Sequence, residues 1–393
     1  MVKPAGPTSA KPPPTATDTA IEITVRDSLA DIRAEEWNAL AGNHPFVRHE
    51  FLHALHETGC ASESAGWLPQ FITAHAGKRL LGAMPLYLKS HSYGEYVFDW
   101  AWADAYQRHG LAYYPKLLAA VPFSPVSAPK LLARDDVVRE LLAAAALKVA
   151  EQVSSLHVLF PTETELAILE AKGMMVRRGV QFHWTNDGYE SFDAFLARFS
   201  HDKRKKIKQE RRKVAEAGVR FSRRTGDEIR ASDWAFFNRC YRTTYRAHHS
   251  TPYLNLAFFE RLGATLPEHT MMVIAERDGQ PIASALNLYT PEVLYGRYWG
   301  TLEYHPALHF ETCYYQALEF CIERGIGTFE GGAQGEHKLA RGFMPVETRS
   351  AHWLRRPEFA DAIERFLAKE ASGIGHYIDE LREHAPYKHD AAD

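Results

Sequence analysis

Residues 271–290 read MMVIAERDGQPIASALNLYT. Two β-rich runs flank Asp278-Gly279, and an Asp-Gly pair in that setting is a strong hairpin signal. The run VLYGRYWG follows at 293–300 as a third extended segment. In HFETCYYQALEFCIERG, residues 309–325, Phe310, Cys313, Tyr314, Ala317, Phe320 and Cys321 form a broad apolar helical stripe. TFEGG at 328–332 reads as a buried strand, and a last strand ends at ETRSAHWL.

The same order occurs earlier. PQFITAHA, the turn Gly77-Lys78-Arg79 and LLGAMPLYL form a first hairpin, with Pro85 suited to an edge or bulge. AHAGKRLLGAMPLYL parallels AERDGQPIASALNLYT, and EQVSSLHVLF parallels ERGIGTFEGG. The repetition is weak in identity but consistent in order, and it predicts a duplicated α/β fold with mixed sheets. The expected division is a disordered tail at 1–20, a first domain at 21–187, a second at 188–385 containing a basic helical segment at 200–217, and a tail at 386–393.

The remaining elements follow from local signals. IEITV at 21–25 is a strand, and Ile32, Trp37 and Leu40 mark a helix. Another helix starts after Pro45 and stops at Gly59. Within LAYYPKLLAAVP, residues 111–122, a helix is expected to start at Pro115. Asp135 and Asp136 open a long helix, Thr162 and Glu165 form a capping box, and MMVRRGVQFHW is a strand. In the second half, Phe192, Phe195, Leu196 and Phe199 are spaced as a helix, and VRFSRR is a strand. A helix covers about 232–246; Thr251 is expected to cap the next, with Pro252 first and Gly263 at its end. The last helix should run from Pro357 to about Lys369.

Composition narrows the function. The 393 residues carry 46 basic and 49 acidic side chains, so no global charge points to DNA or a membrane surface. Residues 1–20 lack an apolar signal core, and LLAAAALKVA at 141–150 is too short to span a bilayer. Cys60, Cys240, Cys313 and Cys321 form no CxxC pair. Free thiols in the cytoplasm are the resulting expectation. No metal site is expected: there is no HExxH, and His305 precedes Pro306, which disfavours helical pairing with His309. A Walker loop, a Gly-x-Ser-x-Gly elbow and a complete dinucleotide fingerprint are all absent from the sequence.

KRKKIKQERRK at 203–213, YWGTLEYHPALHFETCYYQ at 298–316 and FEGGAQGEHKLARGF at 329–343 resemble the FemAB-like predicted N-acyltransferases of the GNAT superfamily, over roughly residues 20–385. The resemblance implies two GNAT-like domains and transfer of an acyl or aminoacyl group to an amine. For Fem-type enzymes the donor is aminoacyl-tRNA and the acceptor a peptidoglycan precursor; ordinary GNAT enzymes use acyl-coenzyme A. The segment GTLEYHPALH, 300–309, lacks the glycine pattern with which GNAT enzymes hold the coenzyme A pyrophosphate. No tightly bound cofactor is expected, with acyl-coenzyme A open as a cosubstrate.

Three stretches supply candidate site residues. The basic run, with Lys203, Arg204 and Lys206 foremost, offers a surface for donor phosphates, against the plainer reading of a solvated helix face. The second stretch places Tyr298, Trp299, Glu303 and His305 as substrate contacts, His309 or Glu311 as a base, and Tyr304 as an oxyanion donor. In the third, Gly331, Gly332 and Gly335 permit close backbone approach, Lys338 and Arg341 suit a carboxylate or phosphate, and Glu330 and Gln334 suit substrate contact. His337 is the further candidate for acid–base work. Direct attack by a substrate amine fits the lack of an activated nucleophile. The alternative is a non-catalytic ligand- or RNA-binding protein on the same duplicated fold.

Overall fold

The computed structural model describes residues 20–332 and 335–388. The tail expected at 1–20 therefore lies, except for Ala20, outside the described residues.

The first half opens with β1 (Ile21–Arg26), α1 (Ala34–Ala41), α2 (His49–Glu57) and β2 (Trp67–Pro69). The hairpin β3 (Phe71–Ala76) and β4 (Arg79–Met84) forms as the Gly77 turn predicts. Pro85 then breaks the strand. The chain leaves a four-stranded sheet, ordered β1-β3-β4-β7, and enters an eleven-stranded one at β5 (Tyr87–Lys89). Proline lacks the amide hydrogen a continuous strand would need there. After α3 (Trp100–Arg108), the segment expected to start a helix at Pro115 is instead the strand β6 (Lys116–Ala119). All four of its residues are buried, between β5 and β8, so tertiary pairing overrides a helical-looking Leu-Leu-Ala-Ala run. β7 (Leu132–Ala133), α4 (Asp136–Ala150), β8 (Ser155–Leu159), α5 (Glu163–Ala171) and β9 (Met175–Thr185) complete this half. The Asp135 cap and the Thr162–Glu165 capping box are both formed.

The second half continues with α6 (Phe192–Ala197), α7 (His201–Glu216), β10 (Val219–Thr225) and α8 (Ala231–Ala247). Next is α9 (Leu256–Thr265), capped by Asn255 rather than Thr251; the Asn255 side chain accepts from the Phe258 amide at 2.9 Å. Gly263 lies inside α9, where a Cβ would meet the Trp234 ring at 2.6 Å. The deciding hairpin is β11 (Thr270–Arg277) and β12 (Gln280–Tyr289), followed by β13 (Val293–Thr301). A short α10 (Leu308–Phe310), a π-helical turn (Glu311–Tyr315) and α11 (Gln316–Arg324) lead to β14 (Thr328–Glu330) and β15 (Met344–Leu354). α12 runs from Pro357 to Glu383, well beyond the expected end at Lys369, burying Ile378 and Leu381 in its added turns.

The large sheet has the order β10-β11-β12-β13-β14-β9-β15-β8-β6-β5-β2. Its middle is an exchange. The last strand of the first half, β9, pairs with β14; the last strand of the second half, β15, pairs with β8; and β9 and β15 pair with each other. One hydrophobic core crosses the halves as well, with Phe51 of α2 edge-on to Phe258 of α9 at 5.6 Å. Among the described residues no helix is long and apolar enough to cross a membrane.

α8 lies against β13 at Gly300. A Cβ there would sit 1.9 Å from the Cys240 carbonyl oxygen, a backbone atom that cannot move aside. Gly300→Ala is therefore expected to cost at least about 2–3 kcal/mol by overpacking. A melting temperature lowered by more than about 5 °C is the expected readout; an unchanged one would refute this packing.

Candidate active site

β13 and β14 run parallel, paired from Val293–Thr328 to Tyr295–Glu330. They then part. β13 continues to Thr301, while the chain after β14 turns away through Gly331 and Gly332, the latter at φ +80°. Within β13, Tyr298 lies opposite Leu286 and Gly296 opposite Asn287, so Arg297 is the extra residue of a bulge. Among the described residues β13 has no strand partner on the β14 side from Gly296 onward; Arg297 and Thr244 side chains bond the Gly296 and Trp299 carbonyls there.

Two hollows meet at this fork. The larger, 510 Å³, is lined by Gly296–Trp299, Gly331 and Gly332 from the fork, by Tyr241, Thr244, Tyr245 and His248 from the α8 segment, and by Tyr96, Phe98, Phe123 and Pro125 from the first half. The smaller, 90 Å³, lies on the helix side and adds His309, Cys313, Tyr314 and Phe329. Tyr96 and Phe123 on the larger wall have left-handed backbones, at φ +66° and +59°. Non-glycine residues persist there only when the surroundings fix them, and such positions gather at functional sites. Phe123 stacks on Tyr253 at 4.8 Å, and its carbonyl accepts from the Tyr298 hydroxyl at 3.1 Å. The π-helical turn beside the smaller hollow is likewise a feature enriched at functional sites.

The electrostatic centre is Arg297 with Glu330. The Arg297 side chain is only 2% exposed and Glu330 only 9%, at 3.5 Å from each other. Arg297 Nη1 donates to the Gly296 carbonyl at 2.8 Å, and its guanidinium lies over the Phe46 and Tyr295 rings. Arg297 Nε and Nη2 and Glu330 Oε2 have no hydrogen-bond partner among the described residues. Burial lifts the Glu330 carboxyl to about 7, against the pull of Arg297 and Lys130. Strand alternation puts Phe329 on the helix side and Glu330 on the opposite side with Arg297.

The sequence candidates divide into three groups. Tyr298, Trp299, Gly331 and Gly332 line the larger hollow, and Tyr298, Trp299, Gly331 and His309 the smaller. Burial, reinforced by His337, Arg341 and Lys338, lowers His309 to about 4, so its imidazole is neutral near pH 7. His337 is exposed, with Nε2 3.1 Å from the Tyr314 hydroxyl. Lys338 is buried, donates to the Gly332 carbonyl at 3.0 Å, and is lowered to about 8 by burial. Gly335 takes φ +119°, and a Cβ there would also meet the His337 ring at 2.4 Å.

A second group is occupied structurally. Glu311 accepts two bonds from Arg211, at 2.9 and 3.1 Å, and one from Gln316, so it is a brace for α7 rather than an available base. Arg341 lies 3.3 Å from the Phe310 ring centroid and donates to Glu210 at 2.9 Å. Glu210 also accepts from Tyr315 at 2.5 Å. These bonds fasten the C-terminal part of α7 to the helix beside the fork.

The third group is apart from both hollows. Tyr304 is 87% exposed, which places its hydroxyl away from any oxyanion position at the fork. His305 bonds Glu303 at 3.1 Å on an outer loop. Lys203, Arg204 and Lys206 line neither hollow; they sit on the N-terminal part of α7. Gln334 lies outside the described residues. Missed by sequence reasoning were Arg297 and the Tyr96, Phe123, Tyr241 and Tyr245 walls. Arg297 had a local signal, a cation inside an otherwise aromatic strand; the walls had none, because they come from distant segments.

The FemAB-like family, described as peptidoglycan biosynthesis/recognition, matches residues 28–389. The crystal structure of FemX shares the fold, with 13% identity, a TM-score of 0.52, and coverage of 85% of this chain and 98% of that one. L-PGS from Bacillus licheniformis (10% identity, TM-score 0.47, 81% and 96% covered) is also similar. So is a tandem GNAT protein from the clavulanic acid biosynthesis pathway (12%, 0.42, 86% and 99%). No curated protein sequence matches significantly. The match over nearly the whole chain leads to one assignment: the chain belongs to the FemAB-like family, described as peptidoglycan biosynthesis/recognition, and it shares the fold of FemX.

Proposed function

We propose that the chain moves an aminoacyl group from aminoacyl-tRNA to a substrate amine by direct attack, with the reacting carbonyl held in the β13–β14 fork. The observation carrying this reading is the fork itself, whose residues Gly296–Trp299 and Gly331 line both hollows. A donor reaching through it meets the open edge of β13, where backbone amides can stabilise a developing oxyanion. The acceptor amine enters from the larger hollow. Glu330, lifted by burial to about 7 and 3.5 Å from Arg297, which lines both hollows, takes the amine's proton through a water. Collapse of the tetrahedral intermediate then expels the ribose hydroxyl of the donor. The peptidoglycan description of the family supports a cell-wall peptide as acceptor.

Charge on α7 favours an RNA donor over acyl-coenzyme A. Arg211 is neutralised by Glu311 and Glu319, Lys208 pairs with Asp193, and Arg212 with Glu216. Lys203, Arg204, Lys205 and Lys206 have no ion partner among the described residues, so the uncompensated charge collects at the N-terminal end of the helix. Like charges so closely spaced are costly without a counter-anion.

The test is filter binding of aminoacylated tRNA across a salt series, alongside calorimetry with coenzyme A. Joint Lys203→Ala and Lys206→Ala substitution should weaken tRNA binding at least about tenfold at low salt and flatten the log–log salt slope by about 1.5. Saturable coenzyme A binding with no tRNA binding would reject this donor. Enzyme-dependent transfer from acyl-coenzyme A to an amine would then establish the other acyl donor class.

A further inference from the structure

A separate hollow of 550 Å³ opens between segments of the first half and residues 355–358 of the second, sharing no lining residue with the two at the fork. It lies where β15 hands over to α12. Helix α12 is 27 residues long, and its N-cap, Arg356, makes no side-chain capping bond; Pro357 has no amide hydrogen and the Phe359 and Ala360 amides bond the Arg356 carbonyl, so the Glu358 amide is the first-turn donor left at the positive end of the helix, where Arg356, Pro357 and Glu358 line the hollow. Arg355 and Arg356 stand on the rim. Arg356 is engaged by Glu358 at 3.3 Å, whereas Arg355 is exposed and has no ion pair among the described residues. The floor includes Tyr106, 1% exposed, whose hydroxyl is buried without a hydrogen-bond partner. A buried unmatched hydroxyl is ordinarily destabilising, so its retention beside two arginines and a helix N-terminus calls for an acceptor. The Tyr106 ring packs on Phe359 at 4.2 Å, which ties the hydroxyl's position to the first turn of α12. Tyr114, Leu111 and Pro115 give the hollow an organic wall.

We propose that this hollow is a second ligand site, for a phosphomonoester: Arg355, the α12 N-terminus and the Tyr106 hydroxyl receive the phosphate, and the Tyr114 side receives the group it is attached to. Arg356 stays on Glu358, which leaves one arginine and the helix end to balance the ligand. Nothing in this inference depends on the transfer reaction proposed above.

The experiment is calorimetry with inorganic phosphate and with glucose 6-phosphate. It uses the full chain carrying Lys203→Ala and Lys206→Ala, so that α7 does not contribute. One saturable site is expected, tighter for the sugar phosphate. Arg355→Ala should weaken it at least about tenfold and Tyr106→Phe by about threefold to tenfold. The melting temperature of the Tyr106→Phe protein should be raised in buffer, because the unmatched hydroxyl is gone, and its rise on adding ligand should be smaller than for the parent. A second arm measures sedimentation with phosphatidylcholine vesicles with and without phosphatidic acid, where no added binding is expected. The proposal fails if neither soluble phosphate saturates a site. It also fails if both substitutions leave binding unchanged, or if only phosphatidic acid vesicles are bound.

Discussion

Glu330→Gln is expected to lower aminoacyl transfer at least about a hundredfold with little change in stability, the usual scale for loss of a positioned proton acceptor. In the native protein the rate should rise with pH through a midpoint near 7, the value to which burial lifts this carboxyl. Arg297 sits 3.5 Å away and pulls that value down. Arg297→Met should therefore move the midpoint upward by at least about one unit, equivalent to about 1.4 kcal/mol. At neutral pH the variant should keep no more than about a fifth of the native rate, because most of its Glu330 stays protonated, and it should recover that rate in alkaline buffer. A pH–rate profile of the two variants decides the matter. Unshifted activity in Arg297→Met, or more than a tenth of the native rate in Glu330→Gln, would remove Glu330 from the reaction and return the proton to another group, with neutral His309 the next candidate at the fork.

The fold should also be lost in mild acid. His44, His56 and His157 are lowered to about 3, and His183 and His309 to about 4, each chiefly by burial. A histidine depressed in the folded state takes up its proton more readily when unfolded. Its contribution is therefore complete above the unfolded value of 6.5 and declines as the pH falls toward the folded value. At pH 5 each such group has lost about 2 kcal/mol, and together they approach the whole stability of an ordinary domain.

The clearest case is the pair His157 and His352, each 1% exposed, with their Nδ1 atoms 2.7 Å apart across β8 and β15. One pattern satisfies every bond. Lys116 and Tyr113 donate to Asp99, His157 Nε2–H is shared between the Ser155 hydroxyl oxygen at 2.8 Å and the Tyr113 oxygen at 3.1 Å, His352 Nδ1–H donates to His157, and the Ser350 hydroxyl donates to His352. A second proton on this pair would set N–H against N–H. Thermal melts from pH 7.5 to 4.5 should show the midpoint falling by more than about 10 °C. In His352→Gln the proton uptake on unfolding should drop by about one. A melting temperature constant over that range would mean these side chains are solvated in the folded state.

Much of the molecule was present in local sequence. Asp278-Gly279 and Gly77 fixed the two hairpins through turn chemistry, and Thr162 with Glu165 fixed a helix start through a reciprocal cap. Lys116–Ala119 misled because Leu and Ala favour helix in isolation, and only burial between two strands makes that segment extended. Thr251 misled for a similar reason: Pro252 is a good first helical residue, but the backbone stays irregular until Asn255. The charged brace of α7 was equally hidden. The run 203–213 looks uniformly cationic, yet Glu311, Glu319 and Asp193 silence its C-terminal part from outside the helix.

By itself, then, the sequence determined the duplicated order of strands and helices, the family, and the glycine-rich segment beside the site. These depend on interactions among residues close in the chain, or on patterns that repeat along it. Tertiary structure alone decided that the last strands of the two halves are exchanged, that Arg297 and Glu330 meet, and that aromatic residues 96, 123, 241 and 245 wall one hollow. The physical reason is distance along the chain. Arg297 and Glu330 are brought together by parallel pairing of strands separated by a whole helix, and the hollow's walls come from both halves. Burial, which sets the Glu330 proton affinity, exists only once those segments have packed.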